Sequence, residues 1–328
     1  MKNNEYRKQL ISKIFNGELP DRLPLSSDLF GTIEYKKDLY HLGEQEYLVK
    51  SGEIGKSADG TKIYTNDGGI WNIGSKIKYK TYTDVLDVDL SRFPIETVDE
   101  VMLSEMRRLR DEMAITKVPA PMHYGTLMSR AEIEFGWEPL LECIGYEPEK
   151  FGEILDRFGH CSLNVAEGWS RIDGIGIIVI HDDIAGTRGL IFNPTWLREY
   201  VFPWYKKIFQ KIQENKKKVI YITDGNYSSV LDEIISMEPD GLYCESTSIS
   251  PEFVMSKGGP DKFYIVKTNS RNIDHGSEND IYSELMLLKK LHRIYHKMWI
   301  YSGGGRINLQ NESLFRQYYN ELLVYTKN

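Results

Sequence analysis

One stretch decides the fold of this chain, and it reads Gly174-Ile-Gly-Ile-Ile-Val-Ile-His-Asp-Asp-Ile-Ala-Gly-Thr-Arg-Gly189. Its first part, from Ile175 to Ile180, holds five β-branched residues and no polar side chain. Such a run is typical of a strand buried on both faces, as in parallel sheets. The run ends at His181, Asp182 and Asp183. The sequence therefore predicts a buried strand that brings three ionisable groups to the carboxyl edge of a sheet, where parallel α/β folds bind ligands.

Comparable apolar runs alternate with helical patterns along the rest of the chain. The predicted strands cover residues 21–27, 115–122, 175–180, 218–222, 241–244, 263–267 and 298–301. Strands that alternate with helices indicate parallel βαβ units. We therefore predict a single domain over residues 1–328, an α/β (β/α)8 TIM barrel that is preceded by a helix over residues 2–16.

The region from about residue 44 to 90 has a different pattern. Short strand-like runs alternate there with the turn pairs Asp59-Gly60 and Asn66-Asp67-Gly68-Gly69. Such pairs favour tight β-hairpins. We interpret this region as a hairpin-rich insertion beside the barrel.

Composition narrows the class of protein. The net charge of −7 argues against a broad nucleic-acid surface. Three separated cysteines without a CxxC pair favour a reducing compartment. The charged start, MKNNEYRKQL, does not have the pattern of a signal peptide, and no apolar run reaches membrane-spanning length. We therefore expect a cytoplasmic protein without membrane or nucleic-acid partners.

Polar side chains follow almost every predicted strand. They are His123, His181, Asp182, Asp183, Asp224, Asn226, Glu245, Asn269, Arg271 and Arg306. A helix cap or a turn is the simpler explanation for any one of them. As a set they would converge on one face of a barrel. Oxygen ligands from Asp224 and Glu245 would suit a metal there, whereas the neighbouring Cys244 should point to the opposite face as a buried structural residue.

The segment DDIAGTRGLIFNPTWLREYVFP, from Asp182 to Pro203, resembles a motif of the uroporphyrinogen decarboxylase-like superfamily. Lys218 to Asn226 is similar to the strand and loop that follow this motif, and Glu238-Pro-Asp-Gly241 is similar to the next turn. The resemblance covers roughly residues 100–325, and the hairpin-rich insertion resembles that of the corrinoid-dependent methyltransferase branch. It implies the barrel fold and one of two activities.

One implied activity is decarboxylation of uroporphyrinogen, for which the superfamily uses an arginine-rich R-Q-A-G-R motif. This chain has Leu25-Ser-Ser-Asp-Leu-Phe-Gly31 near that point. The other activity is methyl transfer involving a corrinoid on a separate protein. Those enzymes often bind zinc through an H-x-C pair, and the matching positions here hold Ile222 and Asp224. This difference argues against a thiol methyl acceptor.

The resemblance therefore favours a methyltransferase of the O-demethylase type. It would demethylate a small substrate, preferably an aryl methyl ether, and pass the methyl group to Co(I) of a partner corrinoid protein, with zinc as an optional metal and a homodimer as an allowed assembly. The residues assigned to catalysis are His181, Asp183, Asp224 and Glu245. Those assigned to substrate binding are His123, Tyr124, Asp182, Asn226 and Arg271.

The sequence leaves two alternatives open. One is a uroporphyrinogen decarboxylase-like decarboxylase, which would release carbon dioxide without a corrinoid. The other is a barrel that binds a ligand without catalysis, which the missing H-x-C pair would explain.

Overall fold

The computed structural model describes residues 2–26, 30–33, 55–56, 62–66, 69–72, 79–115, 117–301 and 309–325. Its strands are β1 (Phe30–Ile33), β2 (Gly55–Lys56), β3 (Lys62–Asn66), β4 (Gly69–Asn72), β5 (Val118–Tyr124), β6 (Ile177–His181), β7 (Ala185–Gly186), β8 (Gly189–Leu190), β9 (Lys218–Ile222), β10 (Gly241–Glu245), β11 (Phe263–Lys267) and β12 (Met298–Tyr301). Its α-helices are α1 (Lys2–Asn16), α2 (Tyr82–Leu86), α3 (Glu100–Ala114), α4 (Met128–Phe135), α5 (Trp137–Tyr146), α6 (Pro148–Ser170), α7 (Pro194–Trp196), α8 (Phe202–Glu214), α9 (Leu231–Ser236), α10 (Pro251–Gly258), α11 (Ser270–His275), α12 (Glu278–His292) and α13 (Leu309–Tyr318).

Seven strands form one parallel sheet in the order β1-β5-β6-β9-β10-β11-β12. This order follows the chain, so each connection moves one strand further in the same direction. Because such crossovers are right-handed, they place the connecting helices on one face of the sheet. The opposite face must then be covered by curvature of the sheet itself, which is how barrel-like α/β sheets bury both faces.

The two faces of the sheet bury separate apolar clusters. Alternate strand residues such as Ile178, Tyr221 and Val266 pack in the large cluster on the helix side. The residues between them pack in a smaller cluster on the inner face, together with Leu10 and Ile14 of α1. The inner-face strand residues of that cluster are Ile177, Val179, Ile220, Tyr243, Phe263, Ile265 and Trp299. Helix α1 thus fills the inner face near the N-terminal ends of the strands.

The segment 21–27, predicted as the first barrel strand, is corrected by the structure. Among its described residues, Arg22 forms an isolated antiparallel bridge with Val324, and Leu25 forms an isolated parallel bridge with Ile300 of β12. The Ile300 amide donates to the Pro24 carbonyl at 2.9 Å. The strand that pairs with β5 is instead β1. Pro24 has no amide to donate to a ladder, which limits the pairing of this segment.

The predicted hairpin-rich insertion contains a small antiparallel sheet of β2, β3 and β4. The last part of the insertion is helical, which corrects the prediction. Thr81 caps α2, because its hydroxyl accepts from the Asp84 amide at 3.3 Å and Asp84 accepts from the Thr81 amide at 3.0 Å. This reciprocal capping satisfies two amides at the start of a short helix.

The predicted helix from Pro194 to Asn215 is interrupted as expected near Pro203. Between α7 and α8 the residues Leu197–Val201 form one π-helical turn. Proline cannot donate the helical hydrogen bond at its own position, and a wider turn accommodates that loss. Among all helices in the described parts of the chain, none combines the length and the apolar character needed to cross a bilayer.

Candidate functional site

An acid-rich cluster lies where the central strands end. His181 closes β6, Glu245 closes β10 and Lys267 closes β11, each two residues after a member of the inner apolar cluster. Because strand side chains alternate between faces, these three side chains belong to the inner face. Strand periodicity alone therefore brings an imidazole, a carboxylate and an ammonium group to one end of the sheet.

His181, Asp183 and Asp224 form the centre of this cluster. One potential ligand atom from each of them lies within 4.8 Å of the other two. The Nε2 atom of His181 is 3.6 Å from Oδ1 of Asp183, which is longer than a hydrogen bond. The Asp224 amide donates to the same Oδ1 at 2.9 Å. The loops after β6 and β9 are thus joined through the Asp183 carboxylate.

Ser129 of helix α4 also holds Asp183 in place, in addition to the Asp224 amide. The Asp183 amide donates to the Ser129 hydroxyl at 2.7 Å, and that hydroxyl lies 3.4 Å from Asp183 Oδ2. The ring of His181 is held by stacking on Tyr124, with centroids 4.3 Å apart and planes inclined by 16°. The Nδ1 atom of His181 is buried and makes no hydrogen bond with the described residues. Both side chains are therefore oriented before any ligand arrives.

The surroundings of Asp224 oppose ionisation of its carboxyl group. Burial raises its pKa, and the negative charges of Asp183 and Glu245 raise it further, while Lys267 acts in the opposite direction. Asp224 is therefore the group in the cluster that is best placed to hold a proton.

Glu245 behaves differently because three donors surround it. It accepts from Lys267 Nζ at 2.9 Å, from the Gly225 amide at 3.0 Å and from the Ser248 hydroxyl at 3.0 Å. Burial opposes its ionisation, but these contacts outweigh burial and hold its pKa below the usual value. Glu245 therefore remains a carboxylate. The structure groups Asp224 with His181 and Asp183 as possible metal ligands, and the metal pair of Asp224 and Glu245 stays a prediction.

The predicted pocket residues His123 and Asp182 lie on the helix side. The imidazole of His123 is bonded to the Ser162 hydroxyl of α6 at 2.9 Å. Asp182 is fully buried and accepts from the amides of Met128 and Ser129 at 3.0 and 2.8 Å. Both residues neighbour an inward-facing residue in sequence, so alternation turns them away from the cluster. Asp182 instead anchors the start of α4.

The other predicted substrate-binding residues have different positions. Tyr124 is part of the cluster through its stacking on His181. Asn226 accepts from the Ser228 amide at 3.1 Å and so shapes a turn. Arg271 is exposed in the first turn of α11. Arg306, another predicted strand-end residue, lies outside the described residues.

Two charged residues of the site were not predicted. The sequence predicts Lys267 only as the last residue of a strand, although Glu245 and Lys267 are paired at the ends of β10 and β11. Glu132 of α4 has a pKa raised to about 7 by burial and by the negative charge of Asp183, while a hydrogen bond from Trp137 opposes the rise. Glu132 follows Ser129 by three residues, so both lie on the same side of α4. This spacing could have indicated that Glu132 belongs to the site, but only if the contact between Ser129 and Asp183 were already known.

Gly225 shapes the loop that carries Asp224. Its φ angle is +82°, and a Cβ atom there would lie 2.5 Å from the Ala185 carbonyl oxygen and 2.7 Å from that of Gly186. We expect Gly225→Ala to lower the free energy of unfolding by about 1–3 kcal/mol from backbone strain, with a further loss from this collision. Urea unfolding will measure the change. Gly136→Ala is the matched control, because its φ is +78° and no atom lies within 4 Å of its Cβ. Equal losses in the two variants would show that the collision is relieved without cost.

The sequence matches no protein-family profile and no curated protein. The structure is similar to a solved structure described as a methyltransferase from Methanosarcina mazei, with a TM-score of 0.59 and 15% sequence identity. The match covers 96% of this chain and 98% of that chain. At this identity the likeness concerns the fold, and it extends over nearly the whole length of both chains.

Proposed function

We propose that this chain is a corrinoid-dependent methyltransferase that demethylates a small methylated substrate, with an aryl methyl ether as the favoured donor. The observation that carries the proposal is the position of Asp224. It is a carboxyl with a raised pKa, held at the strand ends beside ionised Glu245 and the imidazole of His181. The full-length similarity in fold to a protein described as a methyltransferase supports the same class of reaction.

Demethylation of an ether breaks the bond between the methyl carbon and oxygen. Both electrons of that bond stay with the oxygen, which therefore needs a proton to leave readily. Protonated Asp224 donates that proton, and Asp183 and Glu245 favour its protonated state through their negative charges. A separate corrinoid protein would supply Co(I), whose electron pair would form the new bond to the methyl carbon.

A divalent metal ion such as Zn²⁺ also fits this donor set. Two ligands at about 2.1 Å from one zinc ion lie roughly 3.4 Å apart in a tetrahedral site. The 3.6 Å between His181 Nε2 and Asp183 Oδ1 is close to that spacing. His181, Asp183 and ionised Asp224 would hold the ion. Lewis-acid activation of the ether oxygen by the metal would then take the place of proton donation by Asp224.

Metal binding can be measured apart from activity. We expect one equivalent of Zn²⁺ to bind the metal-free protein in calorimetry, and binding to be lost in Asp183→Asn. Glu245→Gln is the matched control and should still bind, because Glu245 is already satisfied by three donors. Loss of binding in Glu245→Gln with retention in Asp183→Asn would instead support Asp224 and Glu245 as the metal pair.

The barrel is part of the proposal. The strand order follows the chain, and the bridge between Leu25 and Ile300 brings the segment before β1 to the far edge of the sheet. These features support a closed (β/α)8 barrel. Cys143, Cys161 and Cys244 are all buried free thiols, which supports a reducing compartment such as the cytoplasm.

The function is tested by incubating the purified protein with cob(I)alamin and a panel of methoxylated aromatic compounds. We expect release of the demethylated phenol that depends on both the protein and the reduced corrinoid. Methylated amines form a second arm of the panel. No turnover with any ether would overturn the favoured donor, and carbon dioxide release without a corrinoid would favour the decarboxylase alternative.

A further inference from the structure

Arg130 of α4 is a largely buried cation that has no hydrogen-bond partner among the described residues. Only 4% of the residue is exposed. Its guanidinium carbon lies 4.5 Å from the ring centroid of Phe158 and 5.4 Å from that of Phe93. The guanidinium carries five N–H donors, and no described residue accepts a hydrogen bond from any of them. Buried charges in proteins are normally paired, and the Arg130 guanidinium has no anionic partner among the described residues.

The polar groups around Arg130 do not supply the missing negative charge. Burial lowers the pKa of His123 to about 3, and the charge of Arg130 adds to this, so His123 is neutral. The Ser162 hydroxyl, which contacts His123, donates to the Thr126 carbonyl at 2.6 Å. Glu134, one turn further along α4, accepts from the Tyr79 hydroxyl at 2.9 Å. Its second neighbour is Arg92, at 3.5 Å, so this carboxylate is already engaged.

Two more arginines lie close to Phe93, one at its backbone carbonyl and one near its ring. Arg157 Nε donates to the Phe93 carbonyl at 2.7 Å, and the guanidinium carbon of Arg92 lies 6.0 Å from the Phe93 ring centroid. Three guanidinium groups thus surround Phe93 in a chain whose net charge is −7. This local excess of positive charge favours an anion.

We propose that Arg130 is the anchor of a binding site for a small carboxylate, between α4, α6 and Phe93. The ring of Phe158 covers one face of the planar guanidinium, and a carboxylate would approach along its edge and accept two parallel hydrogen bonds. Arg130 directly follows Ser129, which holds Asp183. The carboxylate site therefore lies on the helix side of the sheet, whereas the acid cluster lies on its inner face. The proposed site does not depend on the proposed methyl transfer.

The test measures the thermal midpoint of unfolding in sodium acetate and sodium benzoate, against sodium chloride at equal ionic strength. We expect the midpoint of the wild-type protein to rise with carboxylate concentration, because a ligand that binds only the folded state stabilises it. The rise should vanish in Arg130→Met and persist in Arg198→Met, because Arg198 pairs with Glu233 at the surface, away from Phe93. Arg130→Lys, which keeps the charge without the planar fork, should show a weakened rise. Equal rises in wild type and Arg130→Met would overturn the proposal.

The unliganded variant gives an independent result. If the Arg130 charge is unpaired, Arg130→Met should unfold at the same temperature as the wild type or higher, because an apolar side chain relieves a buried charge. A lower midpoint in Arg130→Met, with a wild type that does not respond to carboxylates, would mean that an acidic residue of the chain itself occupies the site. A response to inorganic phosphate without one to acetate or benzoate would overturn the choice of carboxylate.

Discussion

Asp224→Asn should lower the rate of methyl transfer from an ether by about 10²–10⁴-fold, the range that general acid catalysis contributes. The asparagine amide keeps the size of the side chain but has no acidic proton for the departing oxygen. In the wild-type protein this contribution should be present at low pH and decline as pH rises through the raised pKa of Asp224. The measurement is the pH dependence of phenol release by the variant and the wild type. An unchanged rate in Asp224→Asn would remove Asp224 from the mechanism.

The same substitution should stabilise the protein at neutral pH. The pKa of Asp224 is higher in the folded state than in the unfolded chain, so its contribution to stability is present below the unfolded value and is lost as pH rises through the folded value. Asparagine cannot ionise and avoids that loss. We therefore expect a higher thermal midpoint for Asp224→Asn at pH 7 in EDTA, and a smaller difference at acidic pH. Asp232→Asn is the control, because Asp232 is an exposed partner of Lys257.

The largest loss of stability is expected from Asp182→Asn. Asp182 accepts from the amides of Met128 and Ser129 and from the Tyr205 hydroxyl, the last at 2.6 Å. In the variant, the asparagine NH₂ group replaces one carboxylate oxygen. It cannot accept the hydrogen bonds that this oxygen received. Buried donors left without a partner cost about 1–3 kcal/mol each, so we expect the free energy of unfolding to fall by roughly 2–5 kcal/mol.

Urea unfolding will measure the effect of Asp182→Asn, again with Asp232→Asn as the control. Tyr205→Phe should cost less, because it removes one donor and leaves both amides bonded to the carboxylate. A loss in Asp182→Asn no larger than that in Tyr205→Phe would contradict the role of Asp182 as the anchor of α4.

Strand alternation explains which parts of the site were predictable. It predicted that Cys244 and Glu245 face opposite sides, and the structure confirms Cys244 as a buried member of the helix-side cluster. Applied in the same way, alternation would have separated His123 from Tyr124 and Asp182 from His181. Local periodicity thus determines which side chains can meet at the strand ends.

The residues that were missed depend on contacts between distant parts of the chain. Lys267 matters because β10 and β11 pair in register, which places it directly opposite Glu245. Glu132 and Arg130 matter because α4 is docked on Asp182 and Asp183, more than 50 positions away. The parallel order of the strands was predictable from the alternation of elements. The segment 21–27 was misassigned because its apolar character is that of a strand, whereas its described residues form isolated bridges.

Helix α1 has a consequence for the order of events in the proposed reaction. Its Phe15 ring packs 5.2 Å from that of Phe263, at the beginning of β11, and Leu10 and Ile14 fill the adjoining inner face. Apolar side chains thus fill this end of the inner face in the described part of the chain, so we expect both reactants of the proposed reaction to approach from the end that carries the acid cluster. A bulky corrinoid protein seated there would obstruct a later arrival, so the methyl donor has to enter first and the demethylated product has to depart last. Steady-state kinetics should accordingly follow a compulsory sequence with the small substrate leading.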